Sequence, residues 1–473
     1  MQAHRLAALA ALLAAPALCA TADAQTPAAA RSVAGTWGGA LEPGPVRLRL
    51  KLIIPGTEGG SSATLVSVDQ GGVSIPATFS VRGDSVIFDV SRIGGAYRAV
   101  LSAGADSLTG TWAQGGGELP LVMVRGADSM MVVRRPQEPQ RPFPYREEEV
   151  AYESVDGVRL AGTLTLPPGD GPHPAVLLIT GSGSQDRDET VFNHRPFLVL
   201  SDYLTRRGIA VLRVDDRGVG SSTGNPATAT SADFAQDVAA GVRFLRGRRE
   251  IGPIGLIGHS EGGLIAPMAA ALAPEVRFLV LLAGPGTDSR TLLGRQTELI
   301  MAAGGVPDSV IRRIRPLQRE LLEAAASDAD SAALHEQLSA IAARYRTTLS
   351  RAEQELVGIH EDGAFNQLLL PWMRWFLAYD PQPALRRVTV PVLALNGALD
   401  LQVPPDENLA GIEQALRAAG NRDVTVEKLP GLNHLFQTAR TGAPTEYGEI
   451  EETFSPAALQ RIGDWIVQRF PPP

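Results

Sequence analysis

Gly258-His259-Ser260-Glu261-Gly262 has the G-x-S-x-G spacing that seats a serine on a sharp strand-to-helix turn, with its hydroxyl presented for attack on a carbonyl carbon. The pattern alone is weak, because Gly220-Ser221-Ser222-Thr223-Gly224 matches it too. Context separates the two. The apolar run before Gly258 reads as a strand, and Leu264-Ile265-Ala266 after it reads as a helix. The second match follows turn-rich text and runs into Asn225-Pro226, which starts no helix. Ser260 is therefore the candidate nucleophile and Ser222 a loop residue.

A serine hydroxyl is a poor nucleophile until a base takes its proton. Of seven histidines, His434 sits in a loop, Leu429 to His434, that follows the last good strand. His259 lies within the turn itself, where the backbone points it away from the serine oxygen. The acid should come between Ser260 and His434 at a strand end, and Asp400, after Gly397-Ala398-Leu399, fits. Asp406 and Glu407 are rivals, but Pro404-Pro405 places them in the first turn of a helix, where acids commonly sit. The acid would fix the histidine's tautomer and stabilise the imidazolium. A tetrahedral intermediate also needs two donors for its oxyanion. The N–H of Glu261 is one; Gly183, in Gly181-Ser182-Gly183-Ser184, is the choice for the other, with Ser182 close behind. Of the remaining candidates, His194 lies in the loop after residue 180 and is assigned to the substrate pocket. Trp372, Trp375, Phe376 and Tyr379 recur at helical spacing, which suits either an apolar pocket lining or packing against a sheet.

The elements around these residues alternate. A hairpin around Asp156-Gly157 opens the region, followed by apolar strand candidates over 175–180, 209–214, 254–258, 278–283, 392–396 and 424–428. Helical stretches lie between them, which indicates an α/β fold with a mostly parallel sheet covered on both faces. From about 286 to 387 the text is helical only and reads as a cap inserted in the sheet's connections. Upstream, residues 33–128 alternate in short strands and predict a small antiparallel barrel or sandwich. Gly-Thr-Trp recurs at 35–37 and 110–112, as if first and last strands met at a seam. Residues 129–146 are proline-rich and read as an extended linker, so the catalytic domain is expected over 147–473.

Bulk properties exclude other classes. A net charge of −8 argues against a nucleic-acid partner, which needs a basic face. Residues 1–24 have the basic start, apolar stretch and Ala-Asp-Ala ending of an export signal, so a periplasmic or secreted protein with no membrane span after cleavage is expected. Cys19, the one cysteine, lies in that segment, which removes a thiol nucleophile. His335-Glu336 and His360-Glu361 begin a zinc-protease pattern, but neither has the second histidine four residues on, so no metal and no cofactor is expected.

Five motifs in order carry a resemblance: Gly181 to Asp188, Asp215-Asp216-Arg217-Gly218 through Ser222, Gly258 to Gly263, Leu395 to Asp400, and Leu429 to His434. Together they resemble the esterase-D-type bacterial carboxylesterases, a branch of the α/β-hydrolases close to the serine aminopeptidase-like enzymes, over about residues 150–470. The resemblance implies an α/β-hydrolase fold, no metal, and hydrolysis of short-chain acyl esters as small-molecule substrates. Ser184 stands where that branch usually has proline. Asp186, Arg187 and Asp188 read as loop-bracing ion pairs. A peptidase with the same triad and a non-catalytic binding protein on this scaffold are the competing readings, and nothing in the sequence speaks to oligomeric state.

Overall fold

The computed structural model describes residues 33–42, 48–55, 61–68, 73–114, 117–126, 134–357, 359 and 365–473. The expected export segment, with His4 and Cys19, and His360 lie outside the described residues. Two compact units emerge, with the boundary between Arg134 and Arg135.

The first unit is a closed antiparallel barrel of eight strands: β1 (Gly35–Leu41), β2 (Leu48–Ile54), β3 (Ser62–Ser67), β4 (Val73–Arg82), β5 (Ser85–Val90), β6 (Gly95–Leu101), β7 (Ser107–Gln114) and β8 (Gly117–Arg125). Side chains alternate as the pleat requires: in β5, Val86, Phe88 and Val90 point inward while Ser85, Ile87 and Asp89 face out. Trp37, Phe88, Tyr97, Leu108 and Leu121 belong to the interior core. The buried Tyr97 hydroxyl donates to the Leu108 carbonyl at 2.7 Å, which satisfies its polar end. The seam is β1 against β8, with Trp37 opposite Arg125. The second Gly-Thr-Trp lies on β7, one strand short of the expected seam, and β8 closes the barrel against β1.

The second unit holds an eight-stranded sheet. Its strands are β9 (Arg146–Glu153), β10 (Arg159–Leu166), β11 (His173–Ile179), β12 (Ala210–Val214), β13 (Ile251–His259), β14 (Val276–Leu282), β15 (Val392–Gly397) and β16 (Val424–Leu429). They lie in the order β16-β15-β14-β13-β11-β12-β10-β9. β10 runs against both its neighbours, and β11 to β16 are parallel. The inner strands β11, β13, β14 and β15 read as apolar runs because both faces are covered. Val176, Leu178, Ile257 and Val280 pack in one core with Phe197, Leu204, Ile462 and Trp465 from α1 (Pro196–Arg206) and α11 (Pro456–Arg469). Leu177, Ile179, Leu256 and Leu281 enter another with Val242, Ile265 and Leu416 from α2 (Ser231–Arg246), α3 (Glu261–Leu272) and α10 (Pro405–Ala418). α2 starts at a capping box between Thr230 and Asp233.

Between β14 and β15 comes the helical insertion: α4 (Ser289–Ala303), α5 (Asp308–Ala325), α6 (Ser331–Arg346), α7 (Arg351–Val357), α8 (Pro371–Ala378) and α9 (Gln382–Leu385). Ile314, Leu317, Leu334, Leu338 and Ile341 give it a core of its own. Among the described residues no helix is long and apolar enough to cross a membrane.

The proline-rich stretch is not a free spacer from Arg135 onward. Arg135 donates to the Ile450 carbonyl at 2.8 Å, and Gln137 exchanges hydrogen bonds with the Thr453 and Phe454 backbone at 2.6–3.0 Å. Its polar side chains, interspersed with prolines, grip the surface of the second unit.

Candidate active site

Because β11 to β16 are parallel, the loops after β11, β13, β15 and β16 all emerge at one edge of the sheet, the usual place for chemistry in such folds. Ser260 stands between β13 and α3 with φ 54° and ψ −118°, a sparsely populated conformation for a residue with a side chain. Surrounding bonds hold it there. Its N–H donates to the Leu282 carbonyl at 2.8 Å, and its carbonyl accepts from Gly263 N–H at 2.9 Å. The turn also needs a glycine at 262, where a Cβ would come 2.1 Å from the Ile179 carbonyl oxygen.

Asp400 follows β15 in a tight turn. One carboxylate oxygen accepts the N–H groups of Gln402 and Val403, at 2.7 and 2.9 Å. The other lies 2.8 Å from His434 Nδ1, and both side chains are buried. With one oxygen pinned, the other is aimed at the imidazole. The rival Asp406 instead makes an exposed ion pair with Lys428 on the first turn of α10. His434 is positioned by Asn433, whose side-chain oxygen accepts from the N–H groups of Leu435 and Gln437 at 3.0 and 2.9 Å. The loop lies beside the serine turn, since the His259 Nε2 is 2.9 Å from the His434 carbonyl oxygen and the two rings are 4.9 Å apart. Sequence-predicted Asp400 and His434 are thus in direct contact, and the neighbour of Ser260 touches His434.

The loop after β11 passes close to the turn: a Cβ on Gly181 would sit 3.2 Å from the Ser260 Cβ. The Gly181 N–H is already engaged by the Glu189 carboxylate at 2.7 Å, which leaves Ser182 and Gly183 as the loop's candidate donors. Gly183 has φ 97° and lines a narrow cavity together with Glu261, Asp216 and Thr180. Glu261 is buried and accepts from the Ser231 hydroxyl at 2.6 Å and the Trp372 indole N–H at 2.8 Å. Burial raises its carboxyl above the usual range and these donors hold it back. Asp216 is raised further by burial, and by the nearby charges of Glu261 and Glu189, against the hydrogen bonds from Gln185 N–H and the Thr180 hydroxyl.

His194 is not a pocket residue. It is buried, with Nδ1 2.9 Å from the Thr453 hydroxyl and Nε2 2.9 Å from the Tyr447 carbonyl, and burial lowers its pKa to about 4. It braces the segment 447–453 as a neutral ring. The cap aromatics divide. Phe376 is buried in the sheet's core, while Trp372 stacks on it at 5.4 Å and Trp375 stacks on Tyr379 at 4.6 Å. Of these, Trp372 reaches the serine turn through Glu261. Ser222 is tied into its loop, donating to the Asp215 carbonyl at 2.7 Å and accepting from Ala161 N–H at 2.9 Å. Arg187 pairs with Asp215 and Glu149, and Asp188 pairs with Arg213, so that stretch is held by ion pairs.

Sequence reasoning passed over Glu189 and set His259 aside. Glu189 belongs to no spacing pattern, and a left-handed φ of 53° at a glutamate leaves no trace in sequence. The Glu261 side chain was visible in the serine motif, but only its N–H had a role assigned.

Comparison with known proteins follows the same segment of chain. The chain is 23% identical over 331 residues to esterase EstD of Thermotoga maritima, a match covering 69% of each protein. It is 33% identical over 138 residues to the thiohydrolase aneE of Aspergillus aculeatus, covering 28% of this chain and 40% of that one. Among solved structures, an esterase of Pyrococcus furiosus aligns with a TM-score of 0.43 and 17% identity over 72% of this chain and 98% of its own. The family model described as serine aminopeptidase, S33, matches residues 196–438, just over half the chain. That span runs from α1 through the loop bearing His434, and the chain belongs to the serine aminopeptidase S33 family of the α/β-hydrolases.

Proposed function

We propose that this protein is a serine carboxylesterase acting on small, uncharged acyl esters through an acyl-enzyme on Ser260. One observation carries the reading: a carboxylate with one oxygen pinned by two backbone N–H groups meets His434 Nδ1 at 2.8 Å, in a loop bonded to the residue preceding the strained Ser260. In the proposed reaction His434 Nε2 takes the Ser260 proton as the oxygen attacks the ester carbonyl. The oxyanion is met by the Glu261 N–H and a second N–H from Ser182 or Gly183. The tetrahedral adduct collapses, the bond to the alcohol oxygen breaks, and His434 returns its proton to that leaving group. Water, deprotonated by His434, then attacks the acyl-enzyme and releases the carboxylic acid, restoring the serine. Asp400 stabilises the imidazolium in both halves. The protein is proposed to act outside the cytoplasm, on the strength of its first 24 residues.

The esterase name of the EstD relative supports the choice of ester over amide. The test is covalent labelling with a fluorophosphonate, the modified residue mapped by mass spectrometry, alongside assays of aryl esters and aminoacyl arylamides. Label on Ser260 with ester turnover dominant is the expected result. Label elsewhere would remove the serine mechanism, and amide turnover exceeding ester turnover would make the protein a peptidase.

A further inference from the structure

Glu189 and His259 form a second buried histidine–carboxylate pair behind the proposed triad, and no step of the reaction above uses it. His259 Nδ1 lies 2.9 Å from Glu189 Oε1, and both side chains are nearly inaccessible. The same Glu189 oxygen accepts the Gly181 N–H at 2.7 Å. On the other side of the ring, His259 Nε2 is 2.9 Å from the His434 carbonyl oxygen.

The protons can be assigned from the partners. A backbone carbonyl only accepts, so Nε2 carries a hydrogen. An ionised Glu189 only accepts as well, so Nδ1 then carries one too, and His259 is an imidazolium. Burial opposes that charge, but the attraction and hydrogen bond of Glu189 outweigh it and the ring's pKa is held above its ordinary value. Glu189 keeps a left-handed backbone, a strained conformation that persists only where the surroundings fix it. A buried pair of this kind is poor evidence for stability, since desolvation offsets much of the attraction. Its geometry suggests another role. It spans three loops: the one after β11 that passes Ser260, the serine turn itself, and the loop bearing His434.

We infer that Glu189 and His259 are positioning residues: as a buried ion pair they tie the Gly181 N–H to the His434 carbonyl and so fix the base loop against the oxyanion loop. The inference rests on the proposed serine mechanism. The other ionisable groups around the pair are Asp400 on the far side of His434, Tyr447 against the same loop, kept neutral by burial, and Asp216 and Glu261 behind Glu189.

The full-length protein and its His259→Asn, His259→Gln and Glu189→Gln variants would be compared in kcat/KM for an aryl acetate across pH, with melting temperatures and the fluorophosphonate labelling rate of each. His259→Asn and Glu189→Gln should lower kcat/KM by about 10- to 100-fold, the scale of a small misplacement of reacting groups. His259→Gln, still able to donate to the His434 carbonyl, should recover part of the rate. Should a variant fail to fold, the remaining ones carry the comparison. Activity falling only as the folded fraction falls, with no recovery in His259→Gln, would overturn the inference while leaving Ser260 labelled. Absence of label on Ser260 in the unaltered protein would instead remove the mechanism on which it rests.

Discussion

The indole N–H of Trp372, on α8 of the cap, donates to the carboxylate of Glu261 at 2.8 Å, one residue beyond Ser260. The cap is thereby bonded to the residue whose N–H is the proposed oxyanion donor. Trp372→Phe keeps an aromatic ring for the stack on Phe376 and deletes this donor together with part of the indole's volume. Loss of a hydrogen bond to a buried acid costs about 1–3 kcal/mol. Denaturant unfolding should report a loss of that size, and aryl-ester kinetics a fall in kcat/KM. If neither moves, the link has no function.

Asp400→Asn should lower kcat by about 10³–10⁴-fold, the loss expected when the base is held in the wrong tautomer. Asp406→Asn, which removes only an exposed ion pair with Lys428, should leave kcat within about twofold, because surface pairs contribute little. Steady-state kinetics on both variants decide between the two acids. Equal losses would reverse the assignment of Asp400.

His194 makes stability depend on pH. In the fold its pKa is about 4, below the ordinary value near 6.5. Between those pH values the unfolded chain binds a proton that the folded one refuses. The contribution of the neutral ring is therefore intact above about pH 6.5 and is lost as pH falls toward 4. Its size is on the order of 3 kcal/mol. Melting temperatures of the protein and of His194→Gln, measured from neutral to acid pH, should converge as the pH falls. A constant gap would show that His194 does not titrate in this way.

Two glycine-to-alanine changes should have opposite signs. At Gly262 a Cβ would lie 2.1 Å from the Ile179 carbonyl, so Gly262→Ala should destabilise by about 3 kcal/mol and deform the serine turn. At Gly294, within α4, a Cβ meets nothing within 4 Å, so Gly294→Ala should stabilise by about 0.5–1 kcal/mol. Thermal unfolding of both variants checks the pair.

The parts legible in the sequence are those where chain-local chemistry and tertiary demand agree. The apolar runs became the inner strands β11 and β13 to β15 because a strand buried on both faces needs no alternation. Asp400 could be chosen over Asp406 because prolines at 404 and 405 mark a helix start. What stayed hidden depends on contacts between distant segments. Whether His194 would line a pocket or bond to Thr453 and Tyr447 depends on how residues 447–453 fold back, which no spacing encodes. Nothing near Trp372 announces a partner 111 residues earlier. The barrel's closure was missed by one strand for a related reason: β8, Gly117–Arg125, begins in Gly-Glu-Leu-Pro and has little alternating text of its own, yet pairing with β7 and β1 completes it.

The outermost strand of the hydrolase sheet, β9, opens with Arg146-Glu147-Glu148-Glu149. A free strand edge invites another chain to zip onto it. Here a second molecule laying its own β9 alongside would have to crowd several carboxylates into neighbouring rungs. Crowding at high concentration should therefore not drive copies together along that margin, because its carboxylates oppose growth of the sheet there.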